Sequence, residues 1–246
     1  MKLPLFSRTI SPAKLCLVLL AECMLGQSAC AQIWHSEVSL SNEKSLRGIT
    51  IGRSVGSLGL ATHYYDEQKW FAGVVADTVR LTADQTQDVF VNADVGYQWL
   101  SEIDWSGQVV YAHYAYPFKH QLRNYKYDEL GAAFAFRSQL FFNIAWSPNG
   151  RAQTPGYAFQ KTSDRVTLSA VWRQTIAPRW TANFGLGASN YLTFRPELYR
   201  YAQLGLVYQW QQWQCSLTYL VTDKTAKQNF LSRADNRFLA GIQFEF

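Results

Sequence analysis

The chain has 246 residues, a net charge of +5, a mean hydropathy of −0.17 and 17% charged residues, while aromatics reach 15%. No apolar run approaches the ~20 residues that a spanning helix needs, which excludes a helical membrane protein, and the charge is too mild to argue for nucleic acid. An aromatic-rich, charge-poor chain of middling hydropathy fits a membrane β-barrel, because only half of each strand faces lipid.

The N-terminal stretch comes first. Lys2, Arg8 and Lys14 give a positive start, residues 15–20 (Leu-Cys-Leu-Val-Leu-Leu) an apolar core, and Ala29-Cys30-Ala31 a small-residue cleavage site. This predicts a signal peptide over 1–31, removed on export, and a mature domain over 32–246. The apolar core is too short for a membrane anchor. Neither Cys23, preceded by Glu22, nor Cys30, with Gln27 three residues before it, has the context of a lipidation site. Three of the four cysteines leave with the signal, and Cys215 alone can form neither an internal disulfide nor a thiolate metal cluster. Removing Lys2, Arg8, Lys14 and Glu22 leaves 20 basic and 17 acidic residues, a net +3.

From residue 32 onward, apolar and polar or small residues alternate with a period of two, the signature of strands with two different faces. Val89, Val91, Ala93, Val95, Tyr97 and Trp99 alternate with Phe90, Asn92, Asp94, Gly96 and Gln98. Twelve such segments lie near 34–43, 57–66, 69–78, 88–100, 103–114, 126–137, 139–147, 164–174, 178–190, 200–211, 213–221 and 236–246. Most are close to the ~9–11 residues of a tilted membrane strand.

The connections alternate as well. Tight turns at Glu67-Gln68, Ser101-Glu102, Ser138, Ile176-Ala177 and Gln212 take turns with long polar loops near 44–56, 79–87, 115–125, 148–163, 191–199 and 222–235. Pro117, Pro148, Gly150, Pro155, Gly156 and Pro196 read as loop residues. Short turns on one side and long loops on the other is the outer-membrane barrel pattern, with the turns periplasmic. The fourth loop, with two prolines and two glycines, is the best candidate to fold inward.

The aromatics supply a second test. With the short turns periplasmic, Trp34, Trp70, Trp99, Trp105, Trp172, Trp180, Trp210 and Trp213 all fall at the periplasmic strand ends, and only Trp146 does not. An indole is apolar with one N–H donor, so it favours the membrane–water boundary. With Phe246 these residues make a periplasmic aromatic girdle. The last strand sets Phe238, Ala240, Ile242, Phe244 and Phe246 on one face. A terminal aromatic after alternating apolar residues resembles the strand by which barrels engage the assembly machinery of the outer membrane.

Several stretches resemble the TorF-type porin family of exported proteins: Val38-Ser39-Leu40-Ser41, Arg47-Gly48-Ile49, Trp70-Phe71-Ala72-Gly73-Val74, Tyr111, Tyr114, Tyr116-Pro117 and Tyr127-Asp128-Glu129-Leu130-Gly131. The resemblance covers roughly 36–145 and implies an outer-membrane barrel with pore function.

A barrel can still be an enzyme, but the sequence shows no catalytic centre. Barrel acyl hydrolases place a His two residues before a Ser so that the imidazole reaches the hydroxyl as base. His35, His63, His113 and His120 all lack that partner. Asp84, Asp88 and Asp128 are scattered loop acids, and no phosphate loop, His-Glu-x-x-His or Cys-x-x-Cys is present. No cofactor or metal is implied.

Function is therefore expected in the lumen. Alternation turns Asn92, Asp94, Gln98, Gln108, Glu129, Arg137, Asn143, Arg173, Asn183, Gln203, Arg237 and Glu245 inward, and charged side chains lining a pore set ion preference. Lys44, Arg47, Lys126, Arg151, Lys161, Arg200, Lys224, Lys227, Arg233 and other basic residues of the long loops make a basic rim suited to anionic lipopolysaccharide, or to drawing in anionic solutes. The expectation is a closed antiparallel transmembrane β-barrel of about twelve strands in a bacterial outer membrane. It serves passive transport of small solutes, partnered by lipid and lipopolysaccharide rather than nucleic acid. A non-conducting barrel acting through its loops is the alternative, and a barrel enzyme the third.

Overall fold

The computed structural model describes residues 34–51, 56–67, 69–80, 87–100, 104–117, 126–152, 161–193 and 198–246. The expected signal peptide lies outside them. Twelve strands close into one antiparallel barrel: β1 (Trp34–Ser41), β4 (Ser57–Tyr65), β5 (Trp70–Arg80), β6 (Gln87–Leu100), β7 (Trp105–Ala115), β8 (Tyr127–Phe136), β9 (Leu140–Ala152), β10 (Lys161–Ala177), β11 (Trp180–Tyr191), β12 (Leu198–Trp210), β13 (Trp213–Thr222) and β14 (Arg237–Glu245). The two remaining strands, β2 (Ser45–Leu46) and β3 (Ile49–Thr50), form a small separate hairpin in the first loop. Every barrel strand pairs with its neighbour in sequence, and β1 pairs with β14 to close the circle. Among the described residues no helix is long and apolar enough to cross a membrane.

The expected twelve-strand barrel is thus the fold, and the alternation explains why. Outward positions around the wall carry large apolar groups in the open: Leu40 on β1, Val74 on β5, Leu130 on β8, Leu168 on β10, Leu204 on β12 and Phe238 on β14 are each 46–61% exposed. A soluble protein does not sustain so continuous an apolar belt; lipid makes it favourable. Leu204→Arg is expected to lower barrel stability by about 2–4 kcal/mol if the belt lies in lipid. Equilibrium urea unfolding in vesicles measures this, and an unchanged midpoint would contradict the membrane reading of that face.

The tight turns rely on left-handed backbone. Lys69, Asp104, Arg137, Ser138, Arg179 and Gln211 all have φ between 51° and 73°. Positive φ at consecutive residues, as at Arg137 and Ser138, gives the turn a twist that matches the flanking strands. Six of the eight girdle tryptophans of this end lie beside a second aromatic, including Trp70 on Tyr97 at 5.3 Å and Trp213 on Phe244 at 4.8 Å.

Two details differ from the sequence reading. β9 and β10 run on through 152 and from 161, so Pro148 and Gly150 are strand residues rather than loop residues. Pro148 is tolerated because β9 has already outrun its β8 ladder, which ends at Trp146, and because the β9–β10 register shifts at that level. The tip of that loop lies outside the described residues. Among the described residues the loops that fold inward are the first and, packed against it, the last.

Candidate functional site

The β2–β3 hairpin is built by its turn. Arg47 and Gly48 have φ of 55° and 81°, the two left-handed positions that a two-residue type I′ hairpin requires. Gly48 also lies against the Tyr201 side chain, where an added Cβ would stand 2.7 Å from the tyrosine Cβ. Any other residue there would push the hairpin off β12. The backbone N–H of Ile51 donates to the Lys44 carbonyl at 2.8 Å and closes the base.

Apolar residues of the hairpin pack on both sides of the lumen. Ile49 joins Tyr191, Tyr199 and Tyr201 of β11 and β12, together with Ala226, Phe230 and Ala234 of the last loop. Leu46 and Ile51 join Val79, Phe90, Tyr114 and Tyr116 on the other side. The last loop holds a short helix, α1 (Lys224–Phe230), whose first turn is capped by the Asp223 carboxylate accepting from the Ala226 N–H at 2.8 Å. A 3-10 turn follows over Leu231–Ala234.

Ion pairs fix what packing brings together. Arg47 bonds Glu129 of β8, which is five strands from β1 one way round the wall and seven the other. Arg165 of β10 reaches the same carboxylate at 3.5 Å and stacks over Tyr127 with its Cζ 4.8 Å from the ring centre. Tyr114 stacks on Tyr127 at 4.5 Å and donates its hydroxyl to Glu129 at 3.5 Å. Lys44 pairs with Asp77 of β5 at 2.6 Å. Arg237 of β14 pairs with Glu43 and donates to the Thr50 hydroxyl, while Arg233 donates to the Thr50 carbonyl at 2.9 Å. The hairpin is therefore tied to β5, β8 and β14.

These contacts divide the lumen. Inward side chains of the loop half are buried, including Asp77, Glu129, Arg165, Tyr199 and Leu220. Toward the turns, Asn143 and Arg173 are exposed, with Arg173 lying 4.5 Å over the Phe141 ring. Beneath the hairpin lies a cavity of about 250 Å³ lined by His63, Tyr65, Phe71, Asp94, Tyr114 and Glu129, among others. Glycines make room for rings here: a Cβ on Gly96 would run into the Phe71 ring.

Asn92, Asp94, Gln98, Glu129, Arg173, Arg237 and Glu245 occupy inward register positions. Glu129 and Arg237 are brought into the hairpin's ion-pair set, and Asp94 stands in the cavity 3.6 Å from His63. Arg137 is a correction. It sits in the β8–β9 turn, exposed, with its guanidinium 2.9 Å from Asp104, because β8 ends at Phe136 and the inward face ends with it. Lys44 and Arg47, expected on the outer rim, point into the lumen instead. Arg165 was legible in the sequence, since it shares the parity of Arg173 and Ser169. Tyr201 was legible too, since it shares the parity of Gln203; Arg47 was not, since only the fold shows that a loop meets a wall. His113, an outward residue, holds Asp128 at 2.7 Å, and Tyr111 and Asn149 also donate to that carboxylate at 2.7 Å, so Asp128 is a braced rim residue.

No protein-family model and no curated protein sequence matches the chain. Solved structures do match its fold. A KdgM porin aligns with a TM-score of 0.52 at 9% identity, over 86% of this chain and 99% of that one. A NanC porin aligns with a TM-score of 0.55 at 11% identity, over 85% and 97%. A KdgM porin in complex with disordered oligogalacturonate aligns with a TM-score of 0.51 at 10% identity, over 87% and 98%. At these identities the likeness is one of architecture, and the chain has the closed antiparallel barrel fold of outer-membrane porins.

Proposed function

We propose that this chain is a porin-like channel of a bacterial outer membrane, passing small solutes or ions by diffusion through a lumen narrowed by the β2–β3 hairpin. The observation that carries the reading is the Arg47–Glu129 bridge, which holds a folded loop across a barrel whose wall needs no such support. Twelve strands enclose a lumen between the filled eight-stranded barrels and the wide sixteen-stranded porins, so one inserted hairpin is enough to set its bore. The signal peptide ending near Ala31 exports the chain, the turns face the periplasm, and the strand ending in Phe246 engages the assembly machinery. The basic loops meet lipopolysaccharide. No step of chemistry is assigned to the barrel.

The charges at the narrow zone are Lys44, Arg47, Arg165, Arg233 and Arg237 against Glu43, Asp77 and Glu129, an excess of two positive charges. A weak anion preference follows from the field of that excess. Single-channel recording of refolded residues 32–246 across a salt gradient tests both parts. Discrete steps with an anion-signed reversal potential are the expected result. Cation selectivity would overturn the anion preference. A heat-modifiable barrel without steps would overturn the channel. That last outcome favours a second reading, a plugged barrel acting through its outer loops, for which the full burial of Ala226 and Ala234 in the last loop speaks.

A further inference from the structure

At the turn end of the lumen, opposite the hairpin, the seam that closes the barrel places two acids face to face. Glu37 of β1 and Glu245 of β14 are direct register partners, and both point inward. Like charges directly opposite on paired strands are destabilising. His35 occupies the next inward position of β1, and ligand atoms of His35, Glu37 and Glu245 all lie within 4.8 Å of one another. The Gln243 amide donates to both carboxylates, which aims them at a common point but supplies no positive charge. We propose that His35, Glu37 and Glu245 form a binding site for a borderline divalent cation of the Zn²⁺ type, bridging the first and last strands.

The donor set argues for that class. One imidazole nitrogen and two carboxylate oxygens leave coordination positions open to water, the composition of a solvent-accessible zinc site. Mg²⁺ and Ca²⁺ prefer oxygen alone, so the histidine biases the site away from them. Beside the site, His63 faces His35 across the β1–β4 ladder and is itself held 3.6 Å from Asp94.

The placement has a mechanical consequence. The β1–β14 ladder runs over five register pairs, against eleven between β11 and β12. A cation held by one carboxylate from each side of this short seam ties it together, and binding to the folded state alone raises its stability.

The test is calorimetric titration of the untagged, refolded chain with ZnCl2, beside Glu245→Gln and His35→Ala, with melting followed by the heat-modifiable gel shift. Circular dichroism confirms that each variant is a folded barrel. The expected result is one Zn²⁺ per chain, with affinity about tenfold or more weaker in either variant, and no uptake of MgCl2. Zn²⁺ should raise the melting temperature of the native chain and leave that of Glu245→Gln unchanged. Without metal, Glu245→Gln should melt no lower than the native chain, because a like-charge pair has gone. No Zn²⁺ uptake, or equal affinity in all three proteins, would overturn the site and leave Gln243 as the sole organiser of the two acids. None of these readouts requires the barrel to conduct, so failure here is separable from failure of the channel reading.

Discussion

Replacing residues 45–50 with a flexible Gly-Ser segment is expected to raise single-channel conductance several-fold while leaving the barrel intact. The wall does not depend on the hairpin. β1 pairs with β4 over eight residues and with β14 over five, and neither ladder includes β2 or β3. What the replaced segment supplies is filling: Leu46 and Ile49 occupy space between walls that would otherwise face water. Removing them also takes Ile49 away from Phe230 and Ala226, so the last loop loses its partner and its hold on the lumen. Conductance follows the narrowest section, so the gain reports directly whether that section is here. Unchanged steps in a folded, inserted barrel would place the constriction in the last loop instead. A milder version is Gly48→Val. It keeps the length but sets a branched side chain at a positive φ and against Tyr201. It should widen the pore partly, with noisier open-state current as the loop samples undocked positions.

Much of this arrangement was open to reading before any fold was known, because a barrel writes itself into the chain with a period of two. The stretch from Val91 to Trp99 shows it well: each apolar residue turns out and each polar or small one in, while Phe90 just before it turns in to meet the hairpin. The place of the tryptophans toward the turn ends of the strands was equally legible, since it depends on turn position alone. The site was less so. Alternation finds wall residues such as Glu129, Asp94 and Arg173. It fails one residue past a strand end, where Arg137 enters a left-handed turn and leaves the face it had shared. It is silent on loops, where nothing periodic says whether Arg47 faces solvent or a carboxylate across the barrel. The turn chemistry held one clue. A residue followed by glycine between short apolar neighbours, as in Leu46-Arg47-Gly48-Ile49, is a hairpin signal, and a hairpin with an apolar edge has to bury that edge somewhere.

Glu129 should prove the most sensitive position in the lumen. It is 8% exposed and accepts from Arg47, Arg165 and Tyr114 together. The two deletions around it are unequal. Arg47→Ala leaves the carboxylate with Arg165, and costs chiefly the docking of the hairpin. Glu129→Ala leaves two guanidinium groups facing each other with no counter-charge, and breaking a buried pair from that side costs about 3–5 kcal/mol. Water entering from the cavity below reduces the penalty, so a loss of about 2–3 kcal/mol is expected for Glu129→Ala and about 1 kcal/mol for Arg47→Ala. The double variant should fall short of the sum, because the residues share one network. The electrical signature runs in parallel: Glu129→Ala raises the local positive excess and should shift the reversal potential toward anions, whereas Arg47→Ala lowers it and should shift the potential back. Urea unfolding in vesicles and reversal potentials on the same three proteins decide the matter. Additive stability losses, or shifts of the same sign in both single variants, would show that Arg47 and Glu129 do not act together in the constriction.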